Sequence, residues 1–334
     1  MRIALDVMGG DLAPAAPLEA ARSAAARFPQ ARFLLVGPEA EIRAGLGGDA
    51  ERFDVIDAPE VIRVDEPPAQ AVRRKPGASI PVGVDLVRQG QADALVSAGN
   101  TGALMVAATL ELGTIPGVRR PALATMLPTW DGRGLLMLDL GAQVDCAAEH
   151  LVQFAVMGAV FMERVRGLTG PRVALLSIGA EAAKGSRAVR EAHELLAASD
   201  LNFVGNVEAR DLFAGPADVV VCDGFVGNAV LKAIEGTALG IFRLLRQEIQ
   251  ASRLTALGAL LARSGLRRVR RRLDYAEYGG APLLGVNGVV VKCHGSSDAR
   301  AVANGIGAAV RAVEQGMIAR IADHMDKSGK VLKP

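Results

Sequence analysis

Five short segments of the 334-residue sequence combine glycine with hydroxyl, amide or charged side chains, and each follows an apolar run typical of a β-strand. In an open parallel sheet, such segments lie at the carboxyl ends of the strands, where ligands bind. If all five met at one edge, their backbone N–H groups, hydroxyls and lysines would form an anion site, most commonly for phosphate. The five segments are residues 6–11, 97–102, 179–186, 223–228 and 292–298.

Each segment also has a structural interpretation that needs no ligand. A glycine after a strand commonly makes a tight turn, and Asn100, Thr101 and Asp223 are residue types that cap helices. Lys184 could be a solvated residue at the start of a helix, and His294 could be a hydrogen-bonded structural histidine. The recurrence of the pattern at successive junctions favours a binding site over five unrelated turns.

Several common catalytic motifs are absent from the sequence. No G-x-G-x-x-G follows the first predicted strand, and segment 179–186 resembles a P-loop in which lysine and glycine are transposed. There is no G-x-S-x-G or HExxH motif, and neither a metal nor a cofactor is expected. If inorganic phosphate is itself the nucleophile, the protein needs only to position the anion and to stabilise the developing oxyanion.

Composition excludes several classes of protein. Half of the residues are hydrophobic and 22% are charged, which excludes a disordered chain. The net charge of +2 does not indicate nucleic-acid binding, and aromatic residues, at 4%, are too few for a base-stacking surface. Cys146, Cys222 and Cys293 lie far apart, as is typical of reduced thiols in a cytosolic protein, and no signal peptide is expected.

Short apolar runs alternate with helical patterns from end to end, which predicts a largely parallel sheet covered by helices on both faces. We expect a single α/β domain over residues 1–334. Segment 283–292 is predicted as one strand and segment 298–325 as one helix. A helix over 146–166 is apolar around nearly its whole circumference, so it should be central or at a subunit interface.

Six segments resemble, in their order along the chain, the bacterial phosphate acyltransferases of phospholipid synthesis, the acyl-ACP:phosphate acyltransferase family. Each motif alone is weak, but the combination is specific, and the similarity covers essentially the whole chain. The segments are 6–11 (Asp-Val-Met-Gly-Gly-Asp), 97–102 (Ser-Ala-Gly-Asn-Thr-Gly), 179–185, 203–208 (Phe-Val-Gly-Asn-Val-Glu), 218–228 and 292–297 (Lys-Cys-His-Gly-Ser-Ser).

The resemblance implies transfer of a fatty acyl group from acyl carrier protein to inorganic phosphate. The acyl phosphate product would pass to a membrane glycerol-3-phosphate acyltransferase. The implied fold is a three-layer α/β/α Rossmann-like sandwich, similar to phosphotransacetylase and isopropylmalate dehydrogenase. The implied protein is a cytoplasmic homodimer, peripherally associated with the inner face of the cell membrane, that uses no metal or nucleotide.

The resemblance and the junction pattern together predict the residues of the site. Lys184 would neutralise phosphate or the tetrahedral oxyanion, and Asp6 and Asp11 would orient donors around it. The predicted catalytic residues are Lys184, Asn100, His294 and Asp223. The predicted phosphate-binding residues are Gly9, Gly10, Ser97, Gly99, Thr101, Gly102, Gly224, Asn228 and Ser296.

Segment 253–273 carries seven arginines and no acidic residue, with leucines at helical spacing, and is predicted as a basic amphipathic helical protrusion. It could be a solvated basic face, a surface for anionic membranes, or a docking site for the acidic carrier protein. Membrane docking is favoured, because the product must reach a membrane enzyme. The predicted contact residues are Leu254, Leu257, Leu261, Arg263, Arg267, Arg268 and Arg271.

Three other functions remain open from the sequence. The protein could be an acyltransferase that uses acyl-CoA, or a nicotinamide-dependent dehydrogenase on a related fold. It could also be a non-catalytic scaffold docked to a membrane. The polar residues at the strand ends argue against a scaffold, which has no reason to cluster them.

Overall fold

Eleven β-strands form one sheet in the computed structural model, which describes residues 1–273 and 279–328. Side chains are described in these ranges apart from residues 270–273 and 326–328. The strands are β1 (Arg2–Asp6), β2 (Arg32–Gly37), β3 (Asp54–Asp57), β4 (Ala94–Ser97), β5 (Ala122–Leu127), β6 (Leu135–Leu138), β7 (Val173–Leu176), β8 (Phe203–Val207), β9 (Val219–Val221), β10 (Ala281–Leu284) and β11 (Val289–Lys292). Across the sheet they follow the order β3-β2-β1-β4-β11-β10-β5-β6-β9-β7-β8.

Helices connect these strands, and polar residues at the strand ends begin several of them. The helices in the described ranges are α1 (Ala15–Arg27), α2 (Glu39–Leu46), α3 (Pro68–Arg74), α4 (Ser79–Arg88), α5 (Thr101–Leu112), α6 (Ala148–Arg164), α7 (Arg187–Ala197), α8 (Gly224–Gln250), α9 (Arg253–Leu261), α10 (Arg263–Leu273), α11 (Ala299–Glu314) and α12 (Met317–Ser328). Asn100, Ser186, Asp223 and Asp298 cap α5, α7, α8 and α11, each accepting a backbone N–H in the first turn. Such caps contribute about 1 kcal/mol each.

The two halves of the sheet run in opposite directions. Strands β3, β2, β1, β4 and β11 are mutually parallel, and so are β6, β9, β7 and β8. Between them lie three antiparallel pairings, β11 with β10, β10 with β5, and β5 with β6. Since an odd number of antiparallel pairings reverses the direction, β4 and β11 end at one edge and β7 and β9 at the other. The prediction that all five segments meet at one edge is therefore wrong.

A hairpin that the sequence interpretation missed contributes to this reversal. The single strand predicted over 283–292 is two antiparallel strands, β10 and β11, joined by a turn in which Gly285 has a φ of +93°. Similarly, the helix predicted over 298–325 is divided into α11 and α12 at Gly316, which has a φ of +60°. Both regions are apolar on each side of the break, so the hydrophobic pattern alone predicted one continuous element in each.

Helices cover one face of the sheet continuously and the other face in two parts. On the first face, α1, α6, α7, α11 and α12 bury one apolar core, and thirteen of the 17 residues of α6 are buried. On the second face, α3, α4 and α5 cover one half of the sheet, and the first turns of α8 cover part of the other half. The prediction of an α/β/α sandwich with a mostly parallel sheet is confirmed, and a gap between α5 and α8 is left on the second face.

Helix α8 continues beyond the sheet, and α9 and α10 follow it. Among the helices that the structure describes, only α8 is long and apolar enough to cross a membrane by length and composition. Segment 253–273 forms two helices rather than one, and α9 follows α8 with none of its residues buried. Leu254 and Leu261 are about four-fifths exposed (81% and 80%), and Arg263, Arg267 and Arg268 are also exposed. Arg271 lies in α10, outside the described side chains.

Candidate active site

A polar cavity of about 200 Å³ occupies the gap on the second face, between the start of α5, the first turns of α8 and the end of β11. The start of α11 also borders it, so the positive ends of two helix dipoles, those of α5 and α11, meet there. Thr101, Asn228 and His294, predicted from three separate segments, all line it. Its polar side chains are Thr101, Thr125, Asn228, Lys232, Glu235, Lys292, His294 and Ser297.

Buried side chains at the ends of β1 and β4 hold the loop beside this cavity. The Ser97 hydroxyl donates to Asp6 Oδ2 at 2.6 Å and accepts the backbone N–H of Gly99 at 3.0 Å. Burial raises the pKa of Asp6, and the hydrogen bond from Ser97 opposes that shift. Because the Ser97 hydroxyl is committed to Asp6, we assign Ser97 to positioning the Gly99 loop, in place of the direct phosphate contact that was predicted.

Glycines allow the loops after β1, β4 and β11 to touch. A Cβ on Gly9 would lie 2.5 Å from the backbone nitrogen of Gly99. Gly10 has a φ of +99°, and a Cβ there would lie 2.9 Å from the carbonyl oxygen of Gly295. That oxygen accepts the backbone N–H of Asp11 at 2.7 Å. Three of the five predicted segments, 6–11, 97–102 and 292–298, therefore meet at one edge, and Asn228 of segment 223–228 reaches the same cavity from α8.

Asn100 and Gly102 support α5 and do not reach into the cavity. Asn100 Oδ1 accepts the backbone N–H of Ala103 at 2.9 Å, and Nδ2 donates to the carbonyl oxygens of Arg63 at 3.0 Å and Glu66 at 3.3 Å. The side-chain amide is thus committed at both ends, and we assign Asn100 a positioning role in place of the predicted catalytic one. A Cβ on Gly102 would overlap Pro68, so this glycine lets α5 pack against α3.

Lys292 is the buried cation of the cavity, with an exposed fraction of 7%. Its ammonium donates to the carbonyl oxygens of Ala98 and Cys293. An ammonium carries three donors, so a third N–H is available to a ligand in the cavity. Burial lowers the pKa of Lys292 to about 8, so the side chain is cationic near neutral pH.

His294 follows Lys292 and contacts α8. Its Nδ1 lies 2.8 Å from the Ser296 hydroxyl and accepts the backbone N–H of Ser296 at 3.2 Å. Its Nε2 lies 3.4 Å from Lys232 Nζ, and Lys232 forms an ion pair with Glu235 at 2.7 Å. Burial lowers the pKa of His294, and the nearby Lys232 adds to the effect. The imidazole is therefore neutral near pH 7, with Nδ1 as its accepting nitrogen.

Lys184, Asp223 and Gly224 lie away from this cavity. They follow β7 and β9, whose carboxyl ends are at the opposite edge of the sheet from β4 and β11. Lys184 is exposed, and Asp223 caps α8 by accepting the backbone N–H of Val226 at 2.9 Å. The structure supports the structural interpretation of Asp223, and within one chain it does not bring Lys184 to His294.

The sequence interpretation missed Lys292, Lys232 and Glu235 as site residues. The signal for Lys292 was its place at the end of a strand of three valines, where alternation directs it to the face opposite Val289 and Val291. Lys232 and Glu235 were marked by being a charged pair, three residues apart, in an otherwise apolar part of α8. Neither signal shows which loops come together, so neither located the cavity.

Cys293 also lines the cavity, but its properties do not suit a nucleophile. The side chain is 1% exposed, and burial raises the pKa of its thiol to about 11. The thiolate, which is the reactive form, is therefore scarce near neutral pH. In the part of the chain that the structure describes, no group of three His, Cys, Asp or Glu side chains could hold a metal ion.

Comparison with solved structures identifies the fold. The chain matches a phosphotransacetylase from Streptococcus pyogenes with a TM-score of 0.57, covering 98% of this chain and 94% of that chain at 19% identity. It matches a branched-chain phosphotransacylase from Enterococcus faecalis with a TM-score of 0.59, covering 93% and 99% at 16% identity. The fold is therefore the α/β/α fold of these phosphotransacetylases, and the cavity lies beside the starts of α5 and α11.

Sequence comparison identifies the family. Residues 1–320 match the family described as "Fatty acid synthesis protein". Proteins named phosphate acyltransferase from Heliobacterium modesticaldum and Shouchella clausii are 51% and 47% identical, covering 99% of this chain and 99% and 100% of those proteins. The chain belongs to this family of phosphate acyltransferases, and the predictions of the family and of an acyltransferase are confirmed.

Proposed function

We propose that the protein transfers a fatty acyl group from the thioester of acyl carrier protein to inorganic phosphate. The product would be an acyl phosphate that supplies phosphatidic acid and phospholipid synthesis. The observation that carries this proposal is the buried Lys292 ammonium, with one donor available to a ligand, in a cavity at the starts of α5 and α11. Lysine and helix N-termini both favour a phosphate dianion, and the family supports acyl transfer.

The cavity residues suffice for a direct attack by phosphate. A phosphate oxygen forms a bond to the thioester carbon, and Lys292 stabilises the oxyanion that develops. The C–S bond then breaks, and the thiolate of the carrier leaves. The proton of hydrogen phosphate passes to the departing thiolate, so the products are an acyl phosphate and a thiol.

The test is trapping of the product with hydroxylamine. Purified protein is mixed with palmitoyl-acyl carrier protein, with and without phosphate, and the hydroxamate is measured. We expect hydroxamate to form at a rate that rises with phosphate concentration, and more slowly with palmitoyl-CoA as donor. The proposal would be overturned if mass spectrometry detected an acyl group bound covalently to the protein, or if the rate did not depend on phosphate.

Segment 253–273 is proposed to bind anionic membrane and to steer acyl carrier protein. The exposed leucines of α9 can insert among head groups, while basic residues near an anionic surface contribute about 1 kcal/mol each. The exposed arginines of α10 would also attract an acidic carrier protein. We further propose a cytoplasmic homodimer, peripherally bound to the inner face of the membrane, which hands its product to a membrane glycerol-3-phosphate acyltransferase.

Two charged substitutions in α9 should abolish membrane binding. We expect Leu257→Glu with Leu261→Glu to remove co-sedimentation with phosphatidylglycerol vesicles, because the carboxylates cannot enter the head-group region. The matched control is Leu110→Glu, since Leu110 is 72% exposed but lies on α5. Sedimentation of the double variant at the wild-type level would show that leucine insertion is not the mode of binding.

A further inference from the structure

The polar cavity opens into a larger apolar groove, and we propose that this groove holds the fatty acyl chain of the substrate. The proposal rests on the proposed function, because only an acyl transfer places the end of such a chain beside His294. It goes beyond that function in assigning a subsite and a limit to chain length. The groove has a volume of about 850 Å³, which lies within the range of ligand pockets.

One wall of the groove is α8, and the other is built from the end of β5 with the loop after it and from a short 3-10 helix after β8. Leu231, Ile234, Ala238 and Phe242 lie at helical spacing along one side of α8 and line the groove. The other wall contains residues 127–130, at and after the end of β5, and residues 209–213 of the 3-10 helix. These two segments contact each other: the rings of Trp130 and Phe213 lie 5.4 Å apart, and Trp130 donates its backbone N–H to the Phe213 carbonyl at 2.8 Å.

The groove is continuous with the proposed phosphate site. Both cavities are lined by Leu231, Glu235, His294, Ser297 and Ala301. Polar groups of segment 294–298 stand at this shared end, whereas the wall along α8 beyond Glu235 is almost entirely apolar. A thioester carbonyl beside His294 would therefore have its hydrocarbon chain directed along α8, where apolar burial favours it.

The length of the α8 wall limits the length of the acyl chain that the groove can hold. Leu231 and Phe242 are eleven residues apart on α8, which is about 16 Å at the helical rise per residue. An extended hydrocarbon advances roughly 1.25 Å per carbon, given a C–C bond of about 1.5 Å and tetrahedral angles, so roughly 13 carbons fit. The structure therefore favours long-chain acyl groups over short ones.

Trp130 is the only tryptophan in the chain and lines the groove, so its fluorescence reports occupancy directly. Trp130 is 68% exposed, so covering it with a hydrocarbon chain should shift its emission to shorter wavelength. We would titrate the full-length protein with octanoate, dodecanoate and palmitate below their micellar concentrations. The dissociation constant should fall roughly fourfold for each added methylene that is buried, up to the length of the groove.

A substitution within the groove should shorten it. Ala238 lies seven residues from Leu231, about 10 Å along α8, so Ala238→Phe should block the groove after roughly eight carbons. We expect palmitate to bind at least tenfold more weakly to Ala238→Phe and octanoate to bind within twofold of wild type. The control is Ala40→Phe, since Ala40 is exposed on α2 and lines neither cavity.

Three results would overturn the proposal: unchanged Trp130 emission with palmitate, an affinity that does not depend on chain length, or equal palmitate binding by Ala238→Phe. A second copy of the chain could cover the groove instead. In that case, Trp130 emission would change with protein concentration in the absence of fatty acid, in parallel with dimer formation measured by sedimentation. That result would also overturn the proposal. If the groove binds palmitate but the wild type forms no acyl phosphate, the proposed function fails, and what stands is that the groove binds a fatty acyl chain.

Discussion

A Lys292→Met variant is expected to lose acyl transfer by about 10²- to 10³-fold in kcat, the usual effect of removing one donor from an oxyanion site. Methionine keeps the length of the side chain but removes the charge and the donors. The cavity would then hold two helix N-termini without its buried cation, and both the phosphate and the tetrahedral oxyanion would lose their strongest partner. The measurement is phosphate-dependent formation of acyl hydroxamate from palmitoyl-acyl carrier protein.

The matched control for this variant is Lys184→Met. Lys184 is exposed on the loop after β7, at the opposite edge of the sheet, so its replacement is expected to leave the rate within a few-fold of wild type. Thermal unfolding of both variants separates loss of fold from loss of chemistry. A wild-type rate for Lys292→Met, together with a large loss for Lys184→Met, would contradict the assignment of Lys292. It would show that Lys184 is the catalytic cation, as the sequence analysis predicted.

The same assignment predicts a pH dependence. Burial lowers the pKa of Lys292 to about 8, so the ammonium is present below that pH and is lost as the pH rises through it. We expect kcat/KM for phosphate to fall about tenfold per pH unit above pH 8. In Lys292→Arg this descending limb should disappear, even if the overall rate is lower, because a guanidinium stays charged to above about pH 12. An unchanged limb in the arginine variant would contradict the assignment.

A Gly227→Ala variant is expected to be destabilised by about 3 kcal/mol, the upper end of the usual cost of overpacking. A Cβ on Gly227 would overlap the carbonyl oxygen of Asp139 and would lie 2.8 Å from the Cys222 sulfur. Because backbone of the loop after β6 cannot move as easily as a flexible side chain, the start of α8 must shift. The free energy of unfolding in urea is the measurement.

Gly236 provides the control on the same helix. A Cβ on Gly236 would meet no atom within 4 Å, and the residue is exposed in the interior of α8. Gly236→Ala should therefore stabilise the protein by about 0.5 to 1 kcal/mol, since alanine favours the helix over glycine. Equal stability of the two variants would show that α8 does not pass as closely over the Asp139 loop as described.

The predictions for Lys292 and Gly227 depend on features that the sequence revealed to different extents. The strand–helix alternation, the bounds of α4 and α5, and the strand pair β5 and β6 all followed from local patterns of apolar and turn-forming residues. The caps at Asn100 and Asp223 were also foreseen, as the structural alternative to a catalytic role. The close passage of Gly227 over Asp139 was not foreseen, because it joins residues 88 positions apart in the chain.

Local pattern was sufficient to establish the type of each element and, through motifs in a specific order, the acyltransferase family. Hydrophobic period and turn chemistry are properties of a few neighbouring residues, so they can be read without knowing which strands pair. Local pattern did not reveal three other features: the direction of each half of the sheet, the cavity lined by Thr101, Lys292 and His294, and the groove along α8. They depend on three antiparallel pairings in the middle of the sheet, and such pairing is decided by packing between distant segments.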